Sequence, residues 1–253
     1  MPRYFFQLSY HGAPFQGWQV QPNGTGVQAV LEEKLSQVLR QPCSVVGCGR
    51  TDTGVHARRY VAHFDAAEEI LNPDDLVHRL NAVLPAAIAI QGMRKVDAHA
   101  HARYDAERRV YVYRMHREKN PFTSGMSWWI RKWPDAALMN QAAQQFLGTH
   151  DFSSFSKTNT QVNHYLCTVF EAQWYEPEPG VLEFRVSANR FLRNMVRAMV
   201  GTLLDVGYAK RDVSSMPHLL AARKRQEAGT SVPAHGLTLE DIHYPPSVFI
   251  PFP

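Results

Sequence analysis

Between Arg3 and Val96 the apolar residues change period several times. They go from the two-residue alternation of a strand to the 3.6-residue spacing of a helix and back, which limits the chain to folds that pack helices on a sheet. RYFFQLSY, residues 3–10, reads as a strand. A polar, glycine-rich loop, HGAPFQGWQVQPNGTG, leads into a helical run in which Val27, Leu31, Leu35 and Val38 share one face and which Pro42 closes. Strand-like runs follow near 43–48 and 59–64. Asn72 suits the N-cap of a second helix, with Pro73 at its first position and an end near Val83. Ile88 to Val96 reads as a strand again.

The second half repeats this rhythm. Strand-like runs fall at 110–115, 166–175, 181–188 and 238–243, with Glu176 to Gly180 as the turn between the middle two. Pro134-Asp135 opens a helix that runs to about Leu147, and a longer helix is expected from about Arg190 to Val206. Each half thus mixes helices with antiparallel strands. The expectation is an α+β fold made of two ferredoxin-like halves, residues 1–105 and 106–253, sharing a mixed, mainly antiparallel central sheet. On the expected helix from 190 to 206, Arg190, Arg193 and Arg197 lie within about 60° of one another. Such a row of guanidiniums suits phosphate or carboxylate.

Composition removes several alternatives. With 45% hydrophobic residues, the 253-residue chain has enough apolar material for a core. No apolar run reaches the roughly 20 residues of a membrane span, and MPRYFFQLSY has no signal-peptide apolar region, so a soluble cytoplasmic protein is expected. Three cysteines are too few for a disulfide framework, and Cys43 and Cys48 read as buried thiols on opposite faces of a strand. The net charge of +4 is modest, but the basic residues gather at Arg58-Arg59, Arg108-Arg109, Arg190 to Arg197 and Arg223 to Arg225, which suits a polyanionic partner. Nucleotide-phosphate loops, dinucleotide fingerprints and hydrolase elbows are all missing. Pro42-Cys43 and Cys48 have the wrong spacing for a zinc deaminase, and His99 with His101 has no evident further ligands.

Gly49-Arg50-Thr51-Asp52-Thr53-Gly54-Val55-His56 follows the strand-like run at 43–48. An Asp in a loop of this kind is often a turn former. It can also be a covalent nucleophile, kept ionised by nearby arginine and open to substrate between glycines.

This octapeptide resembles the catalytic loop of the tRNA pseudouridine synthase A family, with the pattern G-R-T-D-x-G-V-H. Further segments match in order: Tyr10-His11-Gly12 with Phe15-Gln16-Gly17-Trp18-Gln19; Asn81 to Pro85; His101-Ala102-Arg103-Tyr104 followed by Arg109 to Tyr113; His150 to Phe155; Ala188 to Arg197; and Pro233-Ala234-His235-Gly236-Leu237. The resemblance spans about residues 4–244. His11 stands where the family usually has Asp, and Asn163-His164 where many members have Arg-Thr, so RNA contacts near 156–164 are expected to differ.

The resemblance implies the pseudouridine synthase fold and an isomerase that converts uridine to pseudouridine at positions 38, 39 and 40 of the tRNA anticodon stem-loop. The reaction needs no cofactor and no metal. By the same resemblance Asp52 is the nucleophile, Arg197 pairs with it, and Arg50 contacts the flipped-out nucleotide. Tyr111 stacks on the uracil, a surer role than base for a phenol with pKa near 10. Leu237 lines the uracil pocket. Arg58, Arg59, Arg190 and Arg193 are candidates for phosphate contacts. The partners implied are tRNA and a second copy of the chain, with Phe122, Trp128 and Trp129 as apolar surface candidates for the homodimer. Two other readings stay open at this level, a non-catalytic RNA-binding module and an Asp-dependent nucleosidase acting on small substrates. The first lacks the aromatic run of an RNP motif, and the second usually needs a second carboxylate.

Overall fold

RYFFQLSY forms strand β1 (Arg3–Tyr10), and its side chains are buried on both faces of the sheet. In the computed structural model, which describes residues 1–21, 24–157 and 163–248, β1 belongs to the first of two compact units, Met1–Arg108 with Leu239–Pro253. After β1 come α1 (Val27–Leu39), β2 (Val46–Gly47), β3 (His56–Asp65), α2 (Pro73–Val83) and β4 (Ile88–Val96). β3 and β4 flank β1, both antiparallel to it, and β2 pairs with β3. This is the arrangement of a βαββαβ half.

Alternation along β1 builds the core of this unit. Tyr4, Phe6 and Leu8 join Phe64 of β3 and the buried stripes Leu31 and Leu35 of α1 and Leu76 and Leu80 of α2. Phe5 faces the other way and is equally buried, stacked on His63 and edge-on to Tyr244. The α2 start is as expected. Asn72 accepts from Asp75 N at 3.0 Å, and Pro73 occupies the first turn. Asn81, near the end of α2, donates to Ile90 O and accepts from Ile90 N of β4, both at 2.8 Å.

The second unit, Arg109–Thr238, holds most of β5 (Arg108–His116), then β6 (Trp128–Trp129), α3 (Ala136–Ala143), β7 (Gly148–Asp151), β8 (Leu166–Glu178), β9 (Val181–Ala188), α4 (Met195–Gly207) and α5 (Met216–Ala222). Its strands run in the order β5-β9-β8-β7, antiparallel throughout, with the two-residue β6 parallel to β5. Asp135 caps α3 through Ala137 N and Leu138 N. Asn140 of α3 repeats the device of Asn81, bonding Trp174 N at 2.8 Å and Trp174 O at 3.1 Å on β8. The closing strand β10 (Leu237–His243) comes back beside β3 from Leu239 on, so the first unit reads β4-β1-β3-β10. The α+β class and the mainly antiparallel sheet match the expectation from the sequence.

Two local expectations fail. The run 43–48 is not a continuous strand, since only Val46–Gly47 pairs with β3. Cys43 and Cys48 are both buried, so the parity argument that set them on opposite faces does not apply. The expected helix from Arg190 begins only at Met195. Asn194, its N-cap, has φ 66, a left-handed conformation that a helix cannot run through. Arg190 and Arg193 therefore lie on the irregular stretch before α4, and the three-arginine helical row does not form.

The turn 100–105 of the first unit rests on histidines. Ala102 N donates to Nδ1 of the buried His63 at 3.1 Å, and Arg103 N and Tyr104 N donate to His101 Nδ1. Burial, with Arg3 and His101 nearby, pushes His63 down to about 4, against weaker opposing pulls from Asp65 and Asp105. His101 is lowered too, again mainly by burial. Because Nδ1 accepts from Ala102, a proton there breaks that bond. A base whose folded pKa lies below its unfolded one binds more protons when unfolded, so stability falls as pH drops from the ordinary histidine range toward 4. We expect the melting temperature to fall over that window, and His63→Asn, which keeps an acceptor, to flatten the fall. Equal slopes for the two proteins would show that His63 plays no part.

Candidate active site

The loop 49–55 sits between β2 and β3 and is built as a turn on a buried base. Val55 N donates to Asp52 O at 3.1 Å, and Gly54, with φ 77, occupies the position where a Cβ would be strained. Thr51, Val55 and His56 are buried; Arg50 and Thr53 are exposed; Asp52 is half-buried. The loop thus turns its flanks inward and leaves Asp52 half-buried between them. Gly49 faces open space, where a Cβ would meet nothing within 4 Å.

The inward side rests on the segment 10–18. Tyr10 Oη and Thr51 Oγ1 share a hydrogen bond of 2.8 Å in the interior, and Trp18 N donates to Thr51 O at 3.2 Å. Gly12 N donates to His56 Nδ1 at 3.0 Å. Two glycines allow the backbones to meet. A Cβ on Gly17 would lie 2.5 Å from Thr51 O, and one on Gly12 would lie 2.2 Å from Val55 O. Trp18 stacks on Tyr60 with ring centroids 4.1 Å apart, and the Tyr60 hydroxyl donates to Gly49 O. Val27 N and Gln28 N, in the first turn of α1, donate to Gly17 O and Trp18 O, which ties the same segment to the helix.

Arg58 and Arg59 are both exposed although consecutive on β3. The β1–β3 register shifts between Leu8 and Tyr10, so that Ala57 rather than Arg58 faces Tyr10. Arg58 Nε lies 2.9 Å from Glu240 Oε1, and Arg59 Nη1 lies 3.7 Å from Asp241 Oδ2. The two arginines line an open cleft of about 650 Å³ with Gln7, Gln91 and Arg94.

In the second unit, Tyr111 on β5 is half-exposed, with the Phe191 ring edge-on to it at 5.1 Å. Arg197, in the first turn of α4, donates from Nε to Val232 O at 2.7 Å, which fixes the guanidinium plane. Tyr113 donates to Pro233 O at 2.9 Å, and burial raises its pKa. Gly236 lies so close that a Cβ would come 2.7 Å from the Tyr113 ring. The segment 232–237 is thereby held between α4 and β5, and delivers the buried Leu237 at the start of β10. Arg190 Nη1 lies 3.2 Å from the His164 ring, and Arg193 is exposed. Residues 158–162, part of the stretch where RNA contacts were expected to differ, lie outside the described residues.

Within the first unit the structure brings Asp52 together with residues that the motifs only flagged, namely Tyr10, Gly12, Gly17 and Trp18. Thr51 and His56 gave no chemical signal of their own. In the second unit the motifs around Arg197 and Leu237 meet at Val232 and Pro233. Among the described residues no group of three or more His, Cys, Asp or Glu is placed to hold a metal ion, and no helix is long and apolar enough to cross a membrane.

Comparison with known proteins gives a consistent result. The family model described as tRNA pseudouridine synthase matches residues 8–105 and 142–245. The chain is 43% identical over 249 residues to the tRNA pseudouridine synthase A of Parabacteroides distasonis, covering 98% of each chain. It is 43% identical to that of Porphyromonas gingivalis, covering 99% of this chain and 100% of the other. With the Bordetella petrii protein of the same name it shares 40% identity, over 97% of this chain and 92% of that one.

Gly201 sets the seat of α4 and so of Arg197. A Cβ there would lie 1.9 Å from Thr230 O. Gly201→Ala must push the helix off the 229–232 segment, and we expect a loss of about 1–3 kcal/mol, read from denaturant unfolding. Unchanged stability would mean that this helix moves without cost.

Proposed function

The chain belongs to the tRNA pseudouridine synthase family, and from that premise we propose that it isomerises uridine to pseudouridine at positions 38, 39 and 40 of the tRNA anticodon stem-loop. The observation that carries the reading is the half-buried Asp52, raised on a turn whose neighbours are anchored in the interior. A nucleophile needs both exposure to substrate and a fixed origin, and that loop supplies both.

In this reading the uracil leaves ribose C1′, turns, and rejoins through C5, which sheds its hydrogen. Asp52 attacks either C1′ or uracil C6. Flipping the nucleotide out of its stack exposes the bond, with Arg50 against the displaced nucleotide. Tyr111 stacks on the uracil, its ring oriented by Phe191. Arg197 pairs with the Asp52 carboxylate, and Leu237 gives the pocket an apolar wall. Arg58, Arg59, Arg190 and Arg193 contact phosphates. The exposed Phe122 and Trp129 fit a homodimer with one tRNA across both copies, working in the cytoplasm.

The direct test is tritium release from tRNA transcripts carrying 5-tritiated uridine, because C5 loses its hydrogen only when the new bond forms. Wild type should release tritium and Asp52→Asn should not, while both bind tRNA. Binding without release by either protein would point to an RNA-binding module. Activity on free uridine would point to a nucleosidase. The tRNA affinity should also fall steeply and log-linearly between low and moderate salt, and a salt-insensitive affinity would contradict the phosphate contacts.

A further inference from the structure

We propose that the buried Tyr10–Thr51 hydroxyl pair positions the Asp52 carboxylate, so that Tyr10, at the end of β1, tunes the chemical step without touching substrate. The inference rests on the reading of Asp52 as nucleophile. Thr51 immediately precedes Asp52 and is held at three points. Its hydroxyl meets Tyr10 Oη at 2.8 Å, its carbonyl accepts from Trp18 N at 3.2 Å, and Gly17 packs against the same carbonyl so closely that a Cβ would lie 2.5 Å away. The Gly17 contact runs on to the Asp52 carbonyl carbon, 3.2 Å from that Cβ position. The side chain and the backbone on the inner side of the loop are therefore both fixed by one segment, and the carboxylate extends from the next Cα.

The β1–β3 register shift supplies the second half of the argument. Had the pairing Leu8↔Tyr60 continued without a shift, Arg58 would face Tyr10; instead Ala57 does. Bulges re-aim side chains and gather beside active sites. Here the shift leaves Tyr10 packed with Tyr60 and Trp18, its hydroxyl on Thr51. The Tyr10 ring is core packing that phenylalanine would serve equally well. The hydroxyl meets Thr51 Oγ1, on the residue before the nucleophile. Displacements of about 1 Å at a reacting group cost about 100-fold in rate, so a small tilt of Thr51 should show in kcat.

The test is steady-state tritium release by Tyr10→Phe, Thr51→Val, Thr51→Ser, the double variant Tyr10→Phe/Thr51→Val and Asp52→Asn. Each is assayed at a temperature where circular dichroism shows it folded, with tRNA affinity measured by filter binding. We expect Tyr10→Phe and Thr51→Val each to lose about 10- to 100-fold in kcat, with KM and tRNA affinity unchanged. Thr51→Ser should recover most of the loss. The double variant should be no slower than the slower single, because both remove the same bond. Unchanged kcat in Tyr10→Phe beside an inactive Asp52→Asn overturns the positioning role alone. A loss that tracks the folded fraction, or that is multiplied in the double variant, overturns it as well. Full activity in Asp52→Asn overturns the nucleophile assignment and the positioning role together.

Discussion

The meeting of two backbones, at residues 12–18 and 51–55, governs how the first unit is organised around its functional loop. Glycine at 12 and 17 lets the chains approach to distances that any Cβ would forbid. Once they are that close, the amides of Gly12 and Trp18 find partners on His56 and Thr51. The same segment is tied to α1 through Val27 and Gln28. Helix, loop and strand end thus form one connected unit of hydrogen bonds, and the carboxylate at 52 is supported by elements far from it in sequence. A site on a loop gains the precision of a site on regular structure when the loop is anchored in this way.

Much of the architecture was legible because it follows from local rules. Asn72 with Pro73, and Asp135 after Pro134, marked helix starts to within a residue or two, since capping is a short-range interaction. The strands at 88–96 and 181–188 had clear alternation and well-defined ends. The helix expected from Arg190 shows where such rules stop. Its apolar spacing continues upstream of Met195, and the asparagine at 194, a type that enters the left-handed region more readily than most, was the one local sign of the break at φ 66. The run at 43–48 misled for a related reason. Apolar residues at strand-like spacing need a partner strand to become one, and only two residues find it.

The site divides along the same line. Asp52, Arg197, Tyr111 and Leu237 were singled out by ordered motifs, which mark residues without explaining how each is held in its own unit. What holds them was not legible. The Tyr10–Thr51 bond joins residues 41 apart, and the Arg197 bond to Val232 spans 35. No periodicity predicts such pairs. In retrospect the glycines at 12, 17 and 236 were the usable signal, because each stands where another chain segment passes within contact distance. Arg58 and Arg59 are a different case. Their charge was obvious in the sequence, but the carboxylates of Glu240 and Asp241 beside them were not, and these temper how strongly the two attract an anion.

The paired asparagines at 81 and 140 have a consequence for colloidal behaviour. β4 ends the strand order of its unit, and β8 runs on past the residues that pair with β7. A strand edge with open amides and carbonyls is a template on which another chain can assemble. At Ile90 and at Trp174 a side-chain amide takes both the donor and the acceptor, standing in for the next strand. Each helix thereby closes the part of the sheet edge it lies beside, and the protein gains resistance to intermolecular strand addition from two residues whose nearer task is to set the register of helix on sheet.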